Sequence, residues 1–129
     1  MNLKIAVAQI STDPGSIQDN TEKIIQYIKK AKSEDADIVV FPELTIPGYM
    51  SLDLMLQNDY IKQNLKALKK IIQNSGNILV IVGFIDQDKK IIGPDGNFKR
   101  YNSAAIIYNK KLLAVQDKTL LPDYDVFFE

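Results

Sequence analysis

Residues 38–43 read Ile-Val-Val-Phe-Pro-Glu, a short β-branched run closed by a proline and followed at once by a carboxylate. Proline biases the residue before it toward extended backbone and supplies no N–H to a ladder, so the run reads as a buried strand ending at Pro42. Glu43 then stands just past the C-terminal end of that strand, the place where open α/β sheets bind ligands. The remaining elements are read outward from this point.

Upstream, residues 3–9 (LKIAVAQ) alternate large apolar side chains at 3, 5 and 7 with Ala6 and Ala8. This pattern suits a strand covered on both faces and predicts a central position in the sheet. Residues 11–15 (STDPG) are turn chemistry, and Ser16 with Asp19 resembles a capping box that starts a helix. Ile17, Ile24, Ile25, Ile28 and Ala31 recur at helical steps, while lysines at 23, 29, 30 and 32 fill the other face. That helix is expected to lie on the sheet.

Downstream, residues 44–56 form an irregular segment punctuated by Pro47-Gly48. Tyr60, Ile61, Leu65, Leu68 and Ile72 then repeat with helical period up to a stop at residues 74–77 (NSGN). Residues 78–85 (ILVIVGFI) predict a buried strand whose Gly83 admits close approach by a neighbouring backbone. Residues 93–97 (GPDGN) are a turn, and residues 103–108 and 112–116 flank Asn109-Lys110-Lys111 as an antiparallel hairpin. Strand, helix, strand, helix, strand and hairpin make an α/β chain: a mixed sheet with two helices on one face. The opposite face, apolar by pattern, needs another cover.

Composition narrows the function classes. Lysine plus arginine equals aspartate plus glutamate at 16 each, so no net field draws the chain to nucleic acid or an anionic membrane. No apolar stretch approaches the roughly 20 residues that span a bilayer, and no signal peptide opens the chain, so a cytoplasmic location is expected. Apolar residues at 46% and charged residues at 25% place the chain among globular domains. Cysteine and histidine are both absent, which excludes disulfides, the usual zinc sites and any Ser-His or Cys-His pair within these residues. Carboxylate, lysine and hydroxyl chemistry remain.

Two ionisable residues follow buried strands: Glu43, and Lys118 in residues 117–122 (DKTLLP). A carboxylate and an ammonium at the rim of a sheet pair either as a structural ion pair or as a chemical dyad, and spacing alone leaves both open. No glycine-rich nucleotide loop appears, and Ser51, Ser103 and Thr119 have no base placed beside them by a motif.

The residues around the two charges carry a resemblance. Phe41-Pro42-Glu43-Leu44, Gly48-Tyr49, and Lys118 through Pro122 resemble the first two signature blocks of the nitrilase, or carbon-nitrogen hydrolase, superfamily. Glu43 through Tyr49 with Asp53-Leu54, and Lys118 through Asp125-Val126-Phe127, are more specifically similar to the glutaminase domain of glutamine-dependent NAD synthetases. Phe128 departs from the acidic residue that pattern expects.

The resemblance implies a nitrilase-type α-β-β-α sandwich, stacked in four layers, of which residues 1–129 supply the N-terminal half to two-thirds of one carbon-nitrogen hydrolase domain, incomplete at its C-terminus. It implies a cysteine thiolate, supplied by a block beyond Glu129, that attacks the carboxamide of glutamine and releases ammonia. Glu43 becomes the general base, with a pKa raised by an apolar wall, and Lys118 the oxyanion support. Tyr49 and Tyr124 become glutamine-pocket residues, and Glu129 a supporting carboxylate. Tyr49 reads equally as a core aromatic with a bonded hydroxyl, and Glu129 as a plain chain-end carboxylate. Without cysteine these residues alone are expected to be inactive and to hold no cofactor or metal. ATP, Mg and deamido-NAD belong to a C-terminal synthetase domain, and the partners implied are glutamine, the missing C-terminal part of the same polypeptide and further copies in a homo-oligomer. Two alternatives stay open: a fragment of a stand-alone amidase or carbamoylase of the superfamily, and a non-catalytic truncated interaction module.

Overall fold

The computed structural model of the chain describes residues 1–121, apart from the side chain of Leu52. Five strands form one sheet: β1 (Ile5–Val7), β2 (Ile38–Val40), β3 (Leu79–Ile92), β4 (Phe98–Tyr108) and β5 (Lys111–Asp117). Their spatial order is their chain order, with β1, β2 and β3 parallel and β3, β4 and β5 antiparallel. Helices α1 (Ile17–Ser33) and α2 (Asn58–Ser75) make the two crossovers, and a 3-10 turn spans Leu52–Leu56.

The helical periods explain the core. Ile17, Ile24, Ile25, Ile28 and Ala31 are all buried, as are Tyr60, Ile61, Ala67, Leu68 and Ile71 of α2. They cover the row Ala6, Val39, Val80 and Ile107, which the strand register aligns across one face of the sheet. Ile24 and Ile28 are fully buried, each contributing about 1.5–3 kcal/mol of transfer free energy. The antiparallel hairpin forms as expected, its two-residue turn at Asn109 and Lys110 with φ of 49° and 60°.

Three expectations are corrected. The first strand is the sheet's edge among the described residues, pairing only with β2. Ala6, and Ala8 just after the strand, turn to the core, whereas Ile5 is 55% and Val7 77% exposed on the opposite face. Alternation of large and small residues therefore marks one side turned to the core and one open side. Second, α1 starts after Ser16, yet the Ser16 side chain makes no capping bond. The buried Asn20 holds the preceding turn instead, its Oδ1 accepting from Asp13 N at 3.0 Å and its Nδ2 donating to Asp13 O at 2.9 Å. Third, β3 runs to Ile92, well past the apolar run, because antiparallel pairing with β4 carries its polar second half.

The face away from the helices is apolar in register. Val7, Val40, Ile81, Ile106 and Ala114 form one row across all five strands, and Ile5, Ile38 and Leu79 form the next. No element among the described residues lies over this face, in keeping with a single sheet of a layered sandwich.

Candidate active site

Glu43 is placed by a turn that two neighbours hold from opposite sides. The strand ends with Phe41 N donating to Ile81 O at 2.9 Å, and the chain then folds back through Leu44, whose φ is +49°. Thr45 Oγ1 donates to Pro42 O, Gly48 N to Leu44 O at 2.9 Å, and Ile46 N to Gly83 O at 3.1 Å. From the helix side, Asn20 Nδ2 donates to Ile46 O at 3.2 Å.

Gly83 makes this seat possible. A Cβ there would stand 2.7 Å from Pro42 O and 2.8 Å from the Glu43 carbonyl carbon, closer than any side chain is accommodated. The expected close backbone approach is thus the approach of the Glu43 turn itself. Gly48 plays the matching part on the other side, with φ of +88° and a Cβ position 2.6 Å from the Asp13 carbonyl.

Lys118 arrives from the far end of the sequence, one residue beyond β5. Its backbone N–H donates to Asn102 O at 2.8 Å, which continues the β4–β5 ladder by one step. Its Nζ donates to Glu43 Oε1 at 2.9 Å. The same oxygen accepts from Asn102 Nδ2 at 2.6 Å. Two residues 75 positions apart therefore meet at one carboxylate oxygen, with Asn102 of β4 between them.

The electrostatics follow from this crowding of donors. Burial pushes the Glu43 carboxyl up, but the hydrogen bonds from Lys118 and Asn102, together with the Lys118 charge, outweigh it and leave the pKa below the ordinary glutamate range. The expectation of a net raised pKa is corrected: the apolar wall exists, with Phe41 and Leu44 buried, but the two donors dominate. Glu43 is accordingly a carboxylate at neutral pH, the form that accepts a proton. The pair is not buried, with side chains 40% exposed for Glu43 and 31% for Lys118. An ion pair so exposed contributes about 0–1 kcal/mol to folding, so stability alone gives little reason for the convergence.

The pair lines a cleft of about 310 Å³ floored by Ile81, Gly83 and Ala104, with Asp117 on its wall. Ser103 Oγ is committed to Asp117 Oδ1 at 2.6 Å, and Ser51 Oγ to Pro47 O at 3.1 Å, which leaves neither hydroxyl activated by Glu43. A carboxylate and an ammonium thus share this cleft. No group of three or more metal-binding side chains forms among the described residues. No helix among them is long and apolar enough to cross a membrane.

Tyr49 does not join the cleft. It stands on the turn 43% exposed, and the buried aromatic with a bonded hydroxyl is Tyr60, which accepts from Gly15 N at 3.0 Å and donates to Pro47 O. Tyr124 and Glu129 lie outside the described residues. Asn102 was missed in the sequence, where it is one polar residue at the head of an apolar strand. Its signal is position: it lies opposite Ile85, the last residue of the apolar run in β3.

The carbon-nitrogen hydrolase family pattern matches residues 4–128. The glutamine-dependent NAD(+) synthetase of Thermotoga maritima is 36% identical over 98% of this chain and 21% of its own length. That of Acinetobacter baylyi is 35% identical over 99% of this chain and 22% of its own. The chain thus spans about one-fifth of these relatives. Among solved structures, the glutamine-dependent NAD+ synthetase of Acinetobacter baumannii, in complex with ADP, superposes with a TM-score of 0.87 at 37% identity, covering 97% of this chain and 22% of that one. An amidase from Nesterenkonia sp. shares the fold, with a TM-score of 0.76 at 24% identity over 95% of this chain and 44% of its own. With the family pattern running through nearly every residue and the fold shared with those proteins, the chain belongs to the carbon-nitrogen hydrolase family.

Proposed function

We propose that these residues are part of the glutamine-hydrolysing domain of a glutamine-dependent NAD synthetase. Glu43 is the general base: it takes the proton of a cysteine thiol carried by polypeptide outside these residues, and returns it to the leaving ammonia. The thiolate attacks the carboxamide carbon of glutamine, the carbon–nitrogen bond breaks, and water later releases glutamate from the thioester. Lys118 stabilises the oxyanion of the tetrahedral intermediate. Tyr49, Tyr124 and Glu129 are assigned to the glutamine pocket and its support by resemblance alone.

The observation that carries the reading is the contact of Lys118 Nζ with Glu43 Oε1 at 2.9 Å in an open cleft, between residues that resemble two separate family blocks. The similarity to curated NAD synthetases at 35–36% identity supports glutamine as the amide substrate. ATP-dependent amidation of deamido-NAD, with its Mg, is assigned to the remaining polypeptide, in a cytoplasmic homo-oligomer.

The test is ammonia release from glutamine by the intact protein and by its Glu43→Gln variant. Glu43→Gln keeps the shape of the side chain and loses the base, so release should fall by at least about 100-fold with the fold unchanged. Wild-type hydrolysis of short aliphatic amides in preference to glutamine would instead point to a stand-alone amidase. Undiminished release by the variant would remove the assignment of Glu43.

A further inference from the structure

We propose that Asn102 is a positioning residue for the pair, its side-chain amide fixing Glu43 Oε1 while its backbone carbonyl fixes the Lys118 main chain. One residue of β4 thereby sets the placement of base relative to cation. The inference rests on the reading of Glu43 as the base.

Three observations support it. The first is geometry: Nδ2 lies 2.6 Å from Oε1, and the carbonyl accepts from Lys118 N at 2.8 Å. Glu43 and Lys118 both sit just beyond strand ends, where the backbone has more freedom, whereas Asn102 lies inside β4. The second is rigidity. Asn102 is opposite Ile85 in β3, and Ile85 is pinned to α2 by the buried Asn64, which donates to Ile85 O at 2.6 Å and accepts from Ile85 N at 3.2 Å. The third is chemistry. An amide donates to a carboxylate without adding charge, and both described donors fall on Oε1, so Oε2 remains for the incoming proton.

The consequence for pH dependence has a definite sign. Besides Glu43, the titratable side chains lining the cleft among the described residues are Asp117 and Lys118. The hydrogen bond from Asn102 is one of the influences that lower the Glu43 pKa against its burial. Removing that donor raises the pKa, so the base form is lost at a higher pH as acid is added, and the acid limb of kcat/KM moves to higher pH.

The experiment measures ammonia release by the intact protein in four forms: wild type, Glu43→Gln, Asn102→Asp and Asn102→Leu. Asn102→Leu removes the donor at similar size without adding charge, whereas Asn102→Asp, close to isosteric, replaces the neutral amide with a second carboxylate beside Glu43 and raises its pKa further. We expect kcat to fall about 100-fold from misplacement of the base, with KM for glutamine little changed and the acid limb displaced upward. If Glu43→Gln is inactive while both Asn102 variants match wild type in kcat and pH profile, the positioning role is overturned and the base assignment survives. If Glu43→Gln is active, the base assignment fails and this inference with it. Should both Asn102 variants fail to fold, NMR of the wild-type protein decides. Side-chain amide resonances of Asn102 that shift as Glu43 titrates support the role, and resonances unmoved through that titration overturn it.

Discussion

At the scale of single residues, the site depends on a side chain that is not there. Gly83→Ala would drive a methyl group into the backbone of Pro42 and Glu43, neither of which can give way as the tip of a flexible side chain would. The variant should lose about 3 kcal/mol of stability in urea denaturation, and in the intact protein the displaced Glu43 should lower glutaminase activity beyond what unfolding explains. Gly83 was legible because a glycine inside an apolar strand asks for a reason. Glu43 was legible as a charge directly after a buried strand; Lys118 was read the same way, but β5 is exposed from Lys111 to Gln116, so its strand is not a buried one. The contact of the two was not legible, since nothing local links positions 75 residues apart. Asn20 and Asn64 escaped notice: each interrupts an apolar helical stripe, and each proves to be buried and to satisfy backbone groups of another segment. A polar residue within such a stripe is the signal to look for.

Among the elements, the β4–β5 hairpin carries an avoidable strain. Both central turn residues have positive φ, the signature of a type I′ turn, which suits Asn109 and penalises Lys110. Left-handed backbone costs a residue with a Cβ about 1–2 kcal/mol, whereas glycine loses about 0.5–1 kcal/mol more chain entropy on folding. Lys110→Gly should therefore stabilise the protein by about 0.5–1 kcal/mol, read as a raised urea midpoint. The hydrogen bond from Lys110 N to Ser75 Oγ at 3.1 Å belongs to the backbone and survives the change. Both helices and the hairpin followed from periodicity and turn residues because those signals are local. The position of β1 did not, because which strand lies at an edge is decided by pairing, and Ala6 and Ala8 report only the side that turns to the core.

For the whole molecule, the decisive feature is the row Val7, Val40, Ile81, Ile106 and Ala114 on the face opposite the helices. Among the described residues nothing covers this apolar face or pairs with the outer edge of β1, and both features invite association of the chain produced alone. Val7→Lys should reduce concentration-dependent association of the isolated chain in sedimentation velocity. In the intact protein, where the sandwich expected for the family covers this face, the same change should cost about 2–3 kcal/mol by placing an unpaired charge in an interior. Opposite signs in the two settings would identify the face as an internal layer, and equal signs would argue for an exterior one.

Because the strands lie side by side in the order they occur along the chain, every new strand meets its partner already made. Helices and hairpins form in microseconds, while ribosomes add about 5–20 residues per second, so the sheet has time to grow in the direction of synthesis. Glu43 is seated as soon as β3 slides beneath its turn. Lys118 is translated several seconds after it, the last of the described residues lining the cleft to be made.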